Sequence, residues 1–193
     1  MELLKKHYNS AHSNRIEAIV EKLLFMIPNG SKVLDVGCGD GLLASRLKNE
    51  LIDIDIQGVD TVQQKETFIP VELFDGRTLP YPKNSFNVVL LMDVLHHARD
   101  PVMLLKECMR VSRKSVIIKD HTWWEPIGLG FLYLSDYISN KPKGVDLPMN
   151  FIHRSKWIEL FKELEIYDYH ANWNWKQKKG FDPVRHIFIH IEI

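Results

Sequence analysis

The chain has 193 residues, of which 45% are hydrophobic and 26% charged, which is enough for one domain with a substantial core. Basic and acidic residues both number 25, so the formal net charge is zero and the composition favours no general attraction to nucleic acid or to an anionic membrane. Two cysteines are too few for a disulfide framework. The N-terminus has no signal-peptide pattern and no apolar run reaches a bilayer span, so we expect a cytoplasmic protein.

Apolar residues recur at helical spacing between Ile16 and Leu24, and Pro28-Asn29-Gly30 ends the pattern. This spacing predicts a packing helix, and we expect residues 1–29 to form an N-terminal helical cap. The remaining sequence has no repeats and no low-complexity tract. We therefore expect a single domain over residues 1–193.

The most informative stretch is residues 32–43, KVLDVGCGDGLL. It predicts a short buried strand, a turn built on Gly37, Gly39 and Gly41, and then an amphipathic helix. Glycines at this spacing let the backbone come close to a ligand, and the start of the helix presents free N–H groups. Dinucleotide-binding folds use GxGxxG instead. Asp35 and a second carboxylate inside the loop suit a cationic ligand better than a pyrophosphate.

The loop resembles the first motif of the class I S-adenosylmethionine-dependent methyltransferases, a hydrophobic strand followed by DxGxGxG. The resemblance implies an α/β fold with a doubly wound, mostly parallel seven-stranded sheet and a C-terminal antiparallel hairpin. It also implies S-adenosyl-L-methionine as cofactor, with S-adenosyl-L-homocysteine as product, held by Asp35, Gly37, Cys38 and Gly39. In this family the N-terminal residues often close over cofactor and substrate, which draws attention to residues 6–15.

A second strand is predicted to end at Asp60, where doubly wound folds hold a ribose through its hydroxyls. The resemblance implies the same role for Asp60, with Thr61 beside it. The family usually places a full helix before the third strand, but only residues 61–67 intervene here, and Pro70 within the third strand indicates an edge position. We expect a shortened or missing helix, which leaves a candidate homodimer surface.

The third strand is predicted to close at Asp75-Gly76-Arg77. The resemblance implies that an acid here accepts a hydrogen bond from the adenine amino group and that the following backbone N–H meets a ring nitrogen. The next run, LPYPKNSFNVV over residues 79–89, resembles the LPFPDxSFDVV segment of ubiquinone-type and related small-molecule methyltransferases. Asn87 stands where an aspartate is usual in that family.

Residues 88–92 form a continuous apolar run, which predicts a central strand covered on both faces. The resemblance places the following turn, Met92, Asp93 and Val94, beneath the methionine part of the cofactor. Two adjacent histidines, His96 and His97, come next. Because no third ligand stands at a metal-like spacing, we expect no metal ion.

A helix capped by Asp100 is predicted to bury Cys108, and a fifth strand over residues 115–119 ends at Asp120-His121. The following segment, residues 122–152, is rich in aromatic residues and short of charge, and we name it the lid segment. Loops at the carboxyl ends of parallel strands form ligand crevices. An aromatic lid would suit an apolar or aromatic methyl acceptor.

The chain is predicted to end with an amphipathic helix over residues 154–164 and two strands, residues 166–175 and 186–193, without a helix between them. The resembling family ends with such a hairpin, and dinucleotide dehydrogenases do not. Trp173, Trp175 and the lysines that follow form a basic-aromatic patch that could contact RNA, although a solvated hairpin loop is the simpler interpretation.

These features predict an enzyme that transfers a methyl group from S-adenosylmethionine to a small acceptor. If the acceptor must lose a proton, His121 is the first candidate for the base and His97 the second. Three different functions compete with this prediction. They are an RNA-modifying methyltransferase, a protein that binds the cofactor without turning it over and, less consistent with the motifs, a nicotinamide-dependent oxidoreductase.

Overall fold

The computed structural model of the protein describes residues 15–123, 126–141, 148, 150–175 and 185–193. Its centre is a seven-stranded sheet in the order β3-β2-β1-β4-β5-β7-β6. The strands are β1 Lys32–Val36, β2 Asp55–Asp60, β3 Val71–Leu73, β4 Phe86–Met92, β5 Ser112–Thr122, β6 Tyr169–Trp175 and β7 Arg185–Glu192. The helices are α1 (residues 15–23), α2 Leu42–Glu50, α3 Pro101–Val111, α4 Pro126–Asn140, α5 Arg154–Glu163 and a 3₁₀ turn Leu95–His97.

Strands β1 to β5 pair in parallel, and β7 lies antiparallel between β5 and β6. This confirms the predicted α/β fold, with a mostly parallel sheet and a C-terminal antiparallel hairpin. Helices α1 and α2 pack on one face of the sheet, and α3 and α5 pack on the other. Six of the seven residues of β4 are buried, because helices cover both faces of this central strand.

Three predicted boundaries are wrong, and one of them is the start of β6, which lies at Tyr169 rather than at residue 166. Strand β5 runs over Ser112–Thr122, longer than the predicted residues 115–119, because its carboxyl half pairs with β7 as far as Thr122. Pro70 precedes β3 rather than lying within it, and β3 has only three residues. The predicted edge position of β3 is confirmed, and residues 61–70, all of which the structure describes, contain no helix.

Local signals place the other helices where the sequence predicts them. The Asp100 side chain accepts a hydrogen bond from the Met103 backbone N–H at 2.9 Å, and Pro101 occupies the first turn of α3. The His153 side chain caps α5 in the same way. Cys108 is fully buried, as predicted for a small apolar side chain. No helix among the described residues has both the length and the apolarity to cross a membrane.

Candidate active site

The loop after β1 holds three glycines in the left-handed region, with φ values of 71° at Gly37, 59° at Gly39 and 76° at Gly41. A side chain at Gly37 would also collide with Val94, since its Cβ would lie 2.6 Å from Cγ2. A Cβ at Gly39 would meet nothing within 4 Å among the described residues. Gly37 is therefore required for packing, whereas Gly39 borders open space at the carboxyl edge of the sheet.

The Asp60 carboxylate fastens this loop to the end of β2. Its Oδ2 accepts a hydrogen bond from the Gly39 N–H at 2.8 Å, and its Oδ1 accepts one from the Val62 N–H at 3.0 Å. A Cβ at Gly76 would lie 3.1 Å from Thr61 Cγ2, so the turn after β3 reaches the same place. The ends of three neighbouring strands thus form one continuous rim.

The Asp75 carboxylate is exposed and organises its own turn. Its Oδ1 accepts hydrogen bonds from the backbone N–H groups of Arg77 and Thr78, at 2.8 and 2.7 Å. These backbone hydrogen bonds lower the pKa of Asp75. The turn therefore presents a carboxylate at the rim of the sheet.

Asp35 is buried beneath the glycine loop, and its side chain is 2% exposed. Burial, together with the neighbouring carboxylates of Asp60 and Asp40, raises its pKa to about 7. Its Oδ2 has no hydrogen-bond partner among the described residues. A cationic ligand on this loop would be attracted to the carboxylate and would favour its ionised form. Burial also raises the pKa of the Cys38 thiol, so Cys38 is not a reactive thiolate.

Asp93, which follows β4, connects three elements of the fold. Its side chain is bonded to Arg15 of α1 and to Lys119 Nζ of β5, the latter at 2.5 Å. Burial opposes the charge of Asp93, but Arg15 and Lys119 hold its pKa well below the ordinary value. This network anchors the first described residue of the chain to the site.

A second group of side chains lies beside this network, and we name it the His/Asp cluster. It consists of His96, His97, His121, His186, Asp120 and Asp136. The His96 Nδ1 lies 2.5 Å from Asp120 Oδ1, and the His96 and His121 rings are 5.1 Å apart. Phe151 stacks on His96 with ring centroids 5.0 Å apart, and Tyr133 of α4 contacts Phe151 at 5.4 Å.

The histidines of the cluster differ in charge. Burial disfavours the charged form of His96, but Asp120 and Asp136 outweigh this effect and raise its pKa to about 9. Burial lowers the pKa of His97, with a further contribution from charged His96. Burial and nearby Lys119 hold the pKa of His121 well below its ordinary value, despite Asp93 at 3.3 Å from its Nδ1. His97 and His121 are therefore neutral near pH 7.

Residues 34–118 match the family described as "Methyltransferase domain". This segment is similar to the class I S-adenosylmethionine-dependent methyltransferase domain. S-adenosylmethionine is the cofactor of such a domain, and methyl transfer is its class of reaction. The glycine loop and Asp60 both belong to the matched segment.

Two curated relatives and one solved structure are similar to this chain. The ubiquinone biosynthesis O-methyltransferase of Photorhabdus laumondii is 28% identical over 167 residues, which cover 74% of this chain and 67% of that one. The tRNA (carboxymethyluridine(34)-5-O)-methyltransferase of Schizosaccharomyces pombe is 31% identical over 98 residues, which cover 51% of this chain and 43% of that one. The structure of a possible histamine N-methyltransferase from Thermotoga maritima has a TM-score of 0.63 at 17% sequence identity. The similarity covers 99% of this chain and 96% of that one. The chain thus spans about two thirds or less of those curated relatives.

The structure brings the predicted cofactor residues of the methyltransferase domain to one edge of the sheet. Asp35, Gly37, Cys38 and Gly39 lie in or under the loop after β1, and Asp60 and Thr61 follow β2. Asp75, Gly76 and Arg77 follow β3, while Met92, Asp93 and Val94 lie at the end of β4. Their contacts with the cofactor stay predictions, as do the catalytic roles of His97 and His121.

Sequence reasoning missed several polar residues of the His/Asp cluster and its surroundings. Asp120 and Lys119 could have been identified from the sequence, because charged residues at the end of an otherwise apolar strand are unusual in a parallel sheet. Asp136 and His186 could not, because α4 and β7 bring them from distant parts of the chain. The N-terminal residues before Arg15 and the lysines after Trp175 lie outside the described residues.

Proposed function

We propose that the chain transfers a methyl group from S-adenosylmethionine to a hydroxyl group of a small apolar or aromatic acceptor. The observation that carries this proposal is the position of the His/Asp cluster, beside Asp93 at the end of β4 and against Phe151 of the lid segment. The name of the Photorhabdus relative, an O-methyltransferase, supports a hydroxyl as the acceptor group. The sulfonium of the cofactor supplies an electrophilic methyl group, so the protein must align the acceptor and exclude water.

Specific residues of this chain fit the parts of the cofactor. The Asp60 carboxylate would receive the ribose hydroxyls, and Gly39, which has open space where a Cβ would stand, would allow close approach. Asp35 would favour the positively charged end of the molecule. Asp75 and the turn that it organises would meet the adenine, and the backbone at Asp93 would meet the methionine ammonium.

His121 is the proposed general base. It is neutral because burial keeps its pKa low, so its ring can accept a proton from an acceptor hydroxyl. Asp93 Oδ1 lies 3.3 Å from His121 Nδ1 and would stabilise the imidazolium that forms. His97 is the second candidate, since it is also neutral and only 18% exposed.

The lid segment supports an aromatic acceptor. The Phe151 ring lies 6.3 Å from the His121 ring in an edge arrangement, and Tyr133, 40% exposed, covers Phe151. Trp123 Nε1 donates a hydrogen bond to the Phe151 carbonyl at 2.9 Å, which fastens this wall to the end of β5. Aromatic walls favour flat, apolar ligands with a few polar groups.

The test is methyl transfer from radiolabelled S-adenosylmethionine to a panel of phenols and catechols, with unmodified tRNA as a separate substrate. We expect label in the phenolic products, and more than about a hundredfold loss of turnover in His121→Ala. His170→Ala, which replaces an exposed histidine on β6, serves as the matched control and should retain activity. Near-normal turnover in His121→Ala would refute the proposed base.

RNA is the second candidate substrate, because the Schizosaccharomyces relative is named for a tRNA modification and Arg154 lies over the Trp173 ring at 5.3 Å. Label in tRNA and none in phenols would favour it.

Calorimetric titration with S-adenosylhomocysteine and with NAD tests for an oxidoreductase and for a non-catalytic protein. Binding of NAD alone would indicate an oxidoreductase, and binding of S-adenosylhomocysteine without transfer to any acceptor would favour a non-catalytic protein.

A further inference from the structure

We propose that His96, His97 and Asp136 form a binding site for one divalent transition-metal ion, with zinc as the best-fitting example. The three ligand atoms come from the turn after β4 and from the lid helix α4. Asp136 Oδ1 lies 3.5 Å from His97 Nε2 and 3.7 Å from His96 Nε2, and all three atoms lie within 4.8 Å of one another.

These separations fit a coordinated ion better than a set of hydrogen bonds. Nitrogen and oxygen atoms in a protein hydrogen bond are usually 2.7 to about 3.2 Å apart, so 3.5 and 3.7 Å are too long. A tetrahedral ion with bonds of about 2.0–2.1 Å holds its ligand atoms about 3.4 Å apart. Small shifts of side chains would therefore complete the coordination.

The surroundings of His96 match those of a metal-bound histidine. Its Nδ1 lies 2.5 Å from Asp120 Oδ1, which leaves Nε2 for the ion. Asp120 is itself held in place, because its Oδ1 also accepts a hydrogen bond from the His121 N–H at 2.6 Å. A carboxylate behind a ligating histidine fixes the orientation and tautomer of the ring.

Charge balance points in the same direction. Asp120 and Asp136 are both buried, with side chains 1% and 7% exposed. A divalent ion that takes the place of the proton on His96 would bring a second positive charge to these two buried carboxylates. The ligand set of two imidazoles and one carboxylate suits zinc and other first-row transition ions rather than calcium or magnesium.

Two further groupings in and around the His/Asp cluster fit a metal less well. In the first, Asp93 with His121 and His186, the carboxylate already binds Arg15 and Lys119, and these cations would repel an ion. In the second, His96 with Asp120 and His121, the direct contact between His96 and Asp120 leaves no space between their atoms. In both groupings, atoms that would have to bind the ion already contact other protein groups.

The site differs from the sequence prediction of no metal, because the third ligand lies on α4 and not near the histidine pair in the sequence. Three protein ligands leave a coordination position open. If the proposed function holds, an acceptor hydroxyl in that position would lose its proton more easily, and His121 would lie close by to accept it.

The test uses the whole chain, stripped of metal with a chelator and then titrated with Zn²⁺ and Co²⁺. We expect one equivalent of each, with the visible absorption of tetrahedral Co²⁺. His97→Gln and Asp136→Asn should weaken Zn²⁺ binding at least a hundredfold, while the exposed control His170→Gln should not change it. X-ray absorption of the wild-type zinc protein should report two histidines and one carboxylate at about 2.0–2.1 Å, which needs no variant.

The proposal is overturned if the stripped protein binds no stoichiometric metal, or if Asp136→Asn binds Zn²⁺ as tightly as the wild type. If only His121→Gln lost Zn²⁺ binding, the metal would belong to another grouping, and the proposal would also be overturned. S-adenosylhomocysteine binding, measured on the same metal-free samples, separates this outcome from failure of the methyltransferase proposal. Thermal unfolding of each variant shows whether it is folded.

Discussion

Replacement of Asp35 by asparagine should change how the stability of the free protein depends on pH. Asp35 is buried, and its pKa in the folded protein is about 7 against an ordinary value of 3.8. Between about pH 4 and 7 the unfolded chain releases this proton while the folded protein keeps it. The contribution of Asp35 to the free energy of unfolding of the wild type therefore falls as the pH rises through this range.

The size of the effect follows from the two pKa values. A pKa unit corresponds to about 1.4 kcal/mol, so the interval from 3.8 to about 7 corresponds to about 4 kcal/mol at about pH 8. The amide of the Asp35→Asn variant stays neutral at every pH and resembles the protonated acid in size. The variant and the wild type should therefore be similar in stability near pH 4, and the variant should be more stable near pH 8.

The assay is urea unfolding of both proteins at several pH values between about 4.5 and 7.5. The difference in unfolding free energy, variant minus wild type, should grow by about 1.4 kcal/mol per pH unit. Subtraction removes the contribution of the groups that titrate alike in both proteins. Asp55→Asn, which replaces an exposed aspartate on β2, is the control and should give a constant difference. A constant difference for Asp35→Asn as well would refute the reasoning.

Two further outcomes test the glycine loop and the core. Gly37→Ala should lose about 2–5 kcal/mol of stability, since it combines a positive φ with a collision against Val94, whereas Gly39→Ala should lose only about 1–2 kcal/mol. Gly39→Ala should nevertheless weaken S-adenosylhomocysteine binding at least tenfold by calorimetry; unchanged affinity would mean that the ligand does not approach this position. Trp157→Ala should cost about 3–5 kcal/mol of unfolding free energy, measured with urea, because the side chain is fully buried. The control Ile158→Ala, at the more exposed neighbouring position, should cost less than about 1 kcal/mol. Equal losses would contradict the assignment of Trp157 to the core.

Much of the fold was predictable because local chemistry and long-range packing agree in this chain. The apolar run of β4 and the Asp100 cap of α3 specify their elements without help from distant residues. The missing helix between β2 and β3 was predictable because too few residues intervene. Strand β5 was underestimated, since its last residues become strand by pairing with β7, which lies far along the chain at its C-terminal end.

By itself, the sequence determined the glycine loop, the acid at the end of β2 and the terminal hairpin, because each depends on neighbouring residues or on the spacing of apolar side chains. Tertiary structure alone decided the composition of the His/Asp cluster. Pairing of β5 with β7 places His186 opposite His121, and packing of α4 brings Asp136 to His96 and His97. The links of Asp93 to Arg15 and Lys119 arise in the same way. Such contacts depend on where whole elements pack, and that position is set by the buried core rather than by any local pattern.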